Sequence, residues 1–532
     1  MGLYDDFRCS AEANKNIVAL TYFGVPIRYG ELLSRIDETA QAFESRGIRP
    51  GDIVALALPT TPESIICLYA LNRIGAIVST IDVRLNGEAL MNIVNRLNAK
   101  MLFIMSFNLE TVASFANKIC AEKIVVMRGI ESIPQGVAFW YKFGEYFNGR
   151  KIQFLKSKKL SHWSDFIKAS QKITKSNLYN WGFNECALLF QTSGTTGGAK
   201  TVMISNDNLR NAWDSVSENY FDLKSGDKSL CLLPIFAWTG FSVSVHLPLF
   251  LGMTVTIVPI WKARDFVKLL ARHQPQMVFT TPGMWNIAQD YRKIDLSCLK
   301  HVIIGGDILQ PIFERKINDF LNKYGCRHEI TKMYGMTETC GVVACTPTFY
   351  KNKYKLGYAG IVVKSMNVQI IDNEICVLAC PQRRFLGYYN DPEETAKIYQ
   401  LHDDGEYWIH TGDTGYFDEN RHLYITGRKK RMIVSHNGSK LFPIEIEAIL
   451  LKHPMVANCA VVAIEDTEYP SGDLPKAFVQ VRNSSSKITE SKLKQYCKQH
   501  LPERLRPTEI VILKQIPTNN NGKTDYAALQ KM

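Results

Sequence analysis

Short apolar runs alternate with helix-length amphipathic segments through the first 130 residues, and this alternation restricts the chain to few architectures. Residues 29–44 (YGELLSRIDETAQAFE) space their apolar side chains for one helical face, whereas residues 51–58 (GDIVALAL) form a run of strand length. A buried helix over 62–75 ending at Gly75, a strand over 76–81, a helix over 88–97, a strand over 101–106 and another over 123–127 continue the pattern. Strands separated by helices of this length argue for a mostly parallel sheet covered on both faces. Residues 255–259, 277–280 and 302–305 read as further buried strands. Residues 363–378 alternate about a turn at Asp372-Asn373, and residues 414–427 about Asp418-Glu419-Asn420, as two-stranded ribbons do.

A cation-dense segment, GRKKRMIVSHNG at 427–438, separates this large region from about a hundred residues of different texture. There the pattern predicts a helix over 443–451 with Pro443 at its start, strands over 456–464 and 476–481, a helix over 489–500 and a strand over 509–516. The fold class expected is α/β: a large N-terminal domain of layered, multi-sheet α/β architecture and a small, mobile α+β C-terminal domain.

Composition narrows the function. The 532 residues are 46% hydrophobic and 21% charged, which excludes a disordered chain or a small disulfide scaffold. The net charge of +12 is modest for this length. No zinc-finger spacing, aromatic RNA-binding motif or basic helix accompanies it, so a nucleic-acid partner is not expected. The cations at 149–160 read as a solvated face. Thirteen scattered cysteines and an N-terminus that is neither basic nor followed by an apolar stretch fit a reducing cytoplasm. The best apolar window, 247–260, is broken by Pro248, Gly252 and Pro259, so no transmembrane segment is expected. Cys376 and Cys380 lack a second pair at zinc spacing and read as packing residues. A homodimer is compatible with all of this.

The strongest local signal is LLFQTSGTTGGAKTV at 188–202. An apolar strand runs into Thr192, Ser193, Gly194, Thr195, Thr196, Gly197 and Gly198, and then Lys200. Glycines let successive backbone N–H groups point inward, the hydroxyls add donors and the lysine adds charge, which together make a nest for polyphosphate. The P-loop pattern needs Gly directly before Lys, and here Ala199 stands there. Three other segments place polar groups beside glycines. KMYGMTETCG offers Tyr334 for stacking on a base and Glu338 for a Mg²⁺ carried on phosphate; YWIHTGDTG offers Asp413 to ribose hydroxyls; Arg428 follows Gly427 and can clamp a phosphate or a ribose.

With these motifs in order, the chain resembles the acyl-adenylate-forming superfamily: AMP-dependent acyl- and aryl-CoA synthetases, nonribosomal peptide adenylation domains and firefly luciferase. Its T-S-G-T-T-G-x-P-K-G loop corresponds to residues 192–201, with departures at Ala199 and Thr201. Its Y-G-x-T-E is 334–338, its G-Y-Y-N-x-P-E-x-T is 387–395, and its T-G-D is 411–413. Its G-R-x-K is 427–430, its G-x-x-x-x-P-x-E-I-E is 438–447, and its terminal G-K is Gly522-Lys523.

The resemblance implies a two-step reaction. A carboxylate attacks the α-phosphate of ATP to give acyl-AMP and pyrophosphate, and a thiol then expels AMP. It implies that the loop from Thr192 to Lys200 wraps the β- and γ-phosphates, that Thr337 holds the α-phosphate and that Glu338 holds Mg²⁺. It further implies that Tyr334 lines the adenine with Gly306 and Asp307 below, that Asp413 and Arg428 hold the ribose, and that Lys523 bridges the α-phosphate and the substrate carboxylate. The domains implied are 1–428 and 431–532, with a hinge at 429–430 and Lys430 or its neighbour Arg431 as the pivot. No nucleophilic side chain is needed, because aligning two anions and stabilising phosphoryl charge suffices.

The segment LLPIFAWTG matches the family's P-x-F-H-x-x-G with Ala237 at the histidine position. Ala237 offers no charge to a substrate ammonium, so a fatty or aryl acid is favoured over an amino acid. Phe236, Trp238, Trp285 and Met336 are the other candidates for lining its pocket. CoA is the favoured acceptor. The phosphopantetheine of a separate, acidic carrier protein remains open, because NNNGKTDYAAL resembles the wording of peptide-synthetase domains. A catalytically inactive nucleotide-binding interaction protein is the third reading.

Overall fold

The computed structural model describes residues 2–133, 159–168, 178–192, 200–285, 291, 294–347, 357–436, 439–466, 469, 472–482, 488–518 and 524–532. Two large sheets carry the N-terminal region. The seven-stranded sheet runs Leu160–His162, Lys123–Met127, Met101–Met105, Ile53–Ala57, Ile77–Thr80, Cys186–Gln191, Thr201–Ser205. All its pairs are parallel except the last. The fourteen-stranded sheet has a parallel centre made of Thr254–Ile257, Lys228–Cys231, Met277–Thr280, His301–Gly305 and Thr331–Met336. Beyond Gly341–Cys345 every neighbour is antiparallel, so the mostly parallel expectation describes only half of this sheet.

Strand alternation sorts the core into layers. Val54, Leu56, Phe103 and Val125 face a central core shared with the helices Leu3–Ala13, Tyr29–Ser45 and Pro62–Arg73. Ala55, Leu102, Ile104 and Val126 face the other way, toward Leu90 and Val94 of the helix Gly87–Arg96. The outer face of the larger sheet is covered by Phe266–His273 and Pro311–Lys323. The helix Pro62–Arg73 is buried from Pro62 through Asn72, as its apolar sequence on every side requires. Thr61 caps it by accepting from Ser64 N, with Pro at its first position.

The predicted turn at Asp372-Asn373 is a two-residue hairpin with φ of +50° and +65°, a geometry that asparagine and aspartate tolerate. A first hairpin, Val18–Tyr22 with Val25–Arg28, turns at Phe23-Gly24 and extends the large sheet, outside the sequence pattern recognised above. In the C-terminal region Val456–Glu465, Asp473–Val481 and Glu509–Leu513 form one sheet. Pro443–Leu450 and Glu490–His500 cover one face of it and Tyr526–Gln530 the other. Ile312 and Phe313, from a helix of the large region, pack against this smaller core. Among the described residues no helix is long and apolar enough to cross a membrane. Residues 149–158 of the cation-rich run lie outside the described residues.

One buried base sets an acid limit. His246 is enclosed, its Nδ1 meets Tyr69 OH at 2.9 Å, and its ring stacks on Phe241. Burial lowers its pKa from 6.5 to about 3. Between those values the unfolded chain takes the proton and the folded chain does not, so stability falls as pH drops from about 6.5 toward 3, by at most about 1.4 kcal/mol per pH unit. A His246→Gln variant is expected to lose less of its urea midpoint than the unaltered chain between pH 7 and pH 4.

Candidate active site

The site is built where the parallel half of the large sheet gives way to the antiparallel half. Thr331–Met336 turns back into Gly341–Cys345, with Gly335 opposite Val342. A Cβ on Gly335 would stand 2.1 Å from Gly341 O, so only glycine fits this close approach. The tip between the strands carries Thr337, half-buried, and Glu338, buried. Glu338 Oε1 accepts from Tyr388 OH at 2.8 Å. Burial, followed by the Glu338 charge, raises the Tyr388 phenol.

Tyr388 links Glu338 to the hydroxyl-and-glycine loop. Lys200 Nζ lies 4.8 Å from the centre of the Tyr388 ring and pairs with Glu394, which also holds Lys397. The loop base is closed by Thr192 N donating to Lys200 O at 2.8 Å, between the antiparallel strands that bracket it. Ser193, Gly194, Thr195, Thr196 and Gly197 lie outside the described residues, as do Gly198 and Ala199. Sequence reasoning gave no role to Tyr388 or Glu394, although both stand in the G-Y-Y-N segment it quoted.

Asp413 and Arg428 face each other in register across Tyr407–Phe417 and Leu423–Arg428. Asp413 Oδ1 lies 2.8 Å from Arg428 Nε, and Asp413 Oδ2 accepts from Tyr334 OH at 2.9 Å. Burial, then the Asp413 charge, raises the Tyr334 phenol well above its usual value. Asp413 also raises the Arg428 pKa, and the charges of Asp307 and Glu338 act on the same guanidinium. Arg428 keeps 54% of its side chain exposed, so a charged head remains open to solvent beside a buried carboxylate. Gly306, with φ of +81°, and exposed Asp307 follow the neighbouring strand His301–Gly305. The structure thus gathers Tyr334, Glu338, Asp413 and Asp307 around Arg428.

Behind Asp413, Glu374 accepts from Gly412 N at 2.8 Å and pairs with Lys429 Nζ at 2.6 Å and His410 Nδ1 at 3.1 Å. Burial alone raises this carboxyl, but its three donors outweigh burial and leave it lowered. Cys376 Sγ lies 3.6 Å from the same His410 nitrogen, so Cys376 sits against a histidine and an ion pair rather than in plain packing. No motif pattern in the sequence flags Glu374.

Beyond Lys430, Arg431 binds Glu447 Oε1 at 2.8 Å and stacks 3.6 Å from the Tyr526 ring centre. Lys523 lies outside the described residues; Thr518 and Thr524 on either side of it form a bridge.

Phe236 and Trp238 are buried in the central core and Met336 is half-buried. Trp238 meets Phe190 edge-on at 5.4 Å. The alanine at 237 is half-buried and brings no charge. Trp285 does not join them. It packs on Phe266 and donates to Thr280 Oγ1 at 3.0 Å, in the outer core with Val278. Met277 and Phe279 of the same strand face Trp238's core, so alternation puts the two tryptophans on opposite faces of the sheet.

Residues 7–379 match the AMP-binding enzyme family, and residues 445–523 match the AMP-binding enzyme C-terminal domain. The chain belongs to this family, within the acyl-adenylate-forming superfamily, and is an ATP-dependent, AMP-forming enzyme of the acyl-CoA synthetase type. It is 27% identical over 514 residues to 4-coumarate–CoA ligase 1 of Petroselinum crispum, covering 93% of this chain and 86% of that one. It is 27% identical over 536 residues to 4-coumarate–CoA ligase 2 of Nicotiana tabacum, covering 96% and 88%. In fold it is similar to an anthranilate CoA ligase in complex with anthranoyl-AMP, with a TM-score of 0.85 at 19% identity over 100% of this chain and 97% of the other. ATP-bound MatB from Rhodopseudomonas palustris gives a TM-score of 0.83 at 21% identity, covering 100% and 99%.

Gly335→Ala tests the hairpin. Overpacking against Gly341 O is expected to cost about 1–3 kcal/mol, read as a lowered thermal midpoint.

Proposed function

We propose that this enzyme activates an apolar carboxylic acid, aryl in preference to fatty, as its acyl-AMP and passes the acyl group to the thiol of CoA. The observation that carries this reading is the joining of Tyr334, Asp413 and Arg428, which presents an aromatic ring, a ribose acceptor and a guanidinium together. Tyr334 lines the adenine with Gly306 and Asp307 below, while Asp413 accepts from ribose hydroxyls and Arg428 turns its exposed head to the ribose or a phosphate. Thr337 holds the α-phosphate. Glu338 suits Mg²⁺, which takes one or two carboxylates together with substrate phosphates. Its buried carboxylate, fixed by Tyr388, is such a donor. When bound, the ion neutralises phosphate charge; the residues of the chain align the reactants. Residues 192–200 wrap the terminal phosphates, and Lys200 exchanges Glu394 for them.

Lys523 brings the substrate carboxylate to the α-phosphate. A carboxylate oxygen bonds to phosphorus as pyrophosphate leaves; the thiol sulfur then bonds to the acyl carbon as AMP leaves with that oxygen. We assign residues 1–428 to the large domain and 431–532 to the small one, pivoting at Lys429-Lys430. Phe236, Ala237, Trp238 and Met336 offer the acid an apolar, uncharged surface, which suits a ring; the curated relatives above are ligases of 4-coumarate.

The test is pyrophosphate exchange over a panel of aryl, fatty and amino acids, followed by CoA acylation. Exchange is expected with aryl acids first. ATP binding without exchange for any acid would leave a nucleotide-binding interaction protein, and acyl-AMP without CoA acylation would redirect the acyl group to a carrier protein. Lys523→Ala is expected to slow exchange by about 100-fold or more while ATP still binds. Asp413→Asn removes the charged acceptor proposed for the ribose and is expected to weaken ATP binding by about 10-fold in calorimetry.

A further inference from the structure

Arg383 is fully buried, yet no carboxylate among the described residues pairs with it. Its Nη1 donates to Ser365 Oγ at 2.7 Å, and its Nη2 to the carbonyls of Val342, Thr339 and Cys340 at 2.9, 3.3 and 3.5 Å. A buried charge without a counter-charge is costly, and only good hydrogen bonds offset that cost. Those carbonyls belong to the residues directly after Thr337 and Glu338. They converge because the tip is bent hard: Cys340 has φ of +52° and Gly341 of +121°. A left-handed cysteine costs about 1–2 kcal/mol, so something must hold it. Cys340 N also bonds back to Thr337 O at 2.9 Å.

Arg383 is itself anchored from the loop side. It ends the short turn Pro381–Arg383, whose flanking carbonyls are gripped by two amides. Asn184 Nδ2 donates to Pro381 O at 2.9 Å, and Asn208 Nδ2 to Gln382 O and Arg384 O at 3.1 and 3.2 Å. Asn208 sits in the first turn of the helix that continues Thr201–Ser205, the strand leaving Lys200.

We propose that Arg383 is a positioning residue that fixes the Glu338 tip relative to the strand leaving the phosphate loop, and thereby sets the affinity of the Mg²⁺-dependent first step. This rests on the function proposed above. A residue that only stabilises the fold lowers both half-reactions together; Arg383 acts on one.

The experiment uses the full chain with Arg383→Lys, and Ser365→Ala as a milder variant that keeps the guanidinium. In Arg383→Lys the Mg²⁺ concentration for half-maximal pyrophosphate exchange is expected to rise by about 10-fold, as loss of an outer support does at metal sites. Thiolysis of a supplied acyl-adenylate is expected to stay within about 2-fold of the unaltered chain. Ser365→Ala is expected to shift the Mg²⁺ requirement the same way by about 2-fold to 3-fold. Equal loss of both half-reactions in Arg383→Lys, or an unchanged Mg²⁺ requirement, overturns the proposal; if Arg383→Lys does not fold, an unchanged Mg²⁺ requirement in Ser365→Ala overturns it. Should the unaltered chain show no exchange, the ligase reading fails instead. Amide hydrogen exchange over 337–342 then still tests the clamp: faster exchange in Ser365→Ala supports it, and unchanged protection overturns it.

Discussion

Asp413 binds two strands of the molecule to each other with one carboxylate. One oxygen takes the Tyr334 hydroxyl from the last parallel strand of the large sheet, and the other takes Arg428 from the final strand before the C-terminal region. Because Asp413 is nearly buried while Arg428 is half exposed, the carboxylate acts as a fixed anchor and the guanidinium as an accessible arm. Glu374 holds the preceding amide from behind, so the anchor is set by a second carboxylate with its own cations. Neither arrangement would survive a shift of one residue in the pairing of Tyr407–Phe417 with Leu423–Arg428, since such a slip turns every side chain to the other face.

Much of this was legible in the residues. The alternation over 29–127 located four strands and three helices of the layered region, because period and run length separate strand from helix without tertiary help. The hairpin at Asp372-Asn373 announced itself by residues that accept positive φ. Tyr334, Asp413 and Arg428 were each readable from motif spacing. Other features depend on partners far along the chain. The antiparallel half of the large sheet arises from long-range pairing that local periodicity does not encode. Trp285 stood with Trp238 among the candidates for the pocket lining, but strand alternation sends them to opposite cores. Glu374 and Arg383 carry no motif; each matters only because distant backbone groups are folded onto it.

The phosphate side shows how a charge is kept when two partners compete for it. Lys200 rests on Glu394 and over the Tyr388 ring, so a cation beside the loop has an internal counter-ion at hand. Tyr388 meanwhile donates to Glu338, which ties the lysine's resting place to the proposed metal carboxylate through one aromatic side chain. A change at either end is therefore felt at the other across a single residue.

The joint between the two regions has a mechanical reading. Arg428 is moored to Asp413 and Lys429 to Glu374 on one side, while Arg431 is locked to Glu447 and lies flat on Tyr526 on the other. In the pivot proposed above, a swing of the smaller body turns on the short backbone stretch between these two moorings. On that proposal, a stretch so short transmits rotation with little sideways play and would bring the C-terminal lobe back along one arc to the same address.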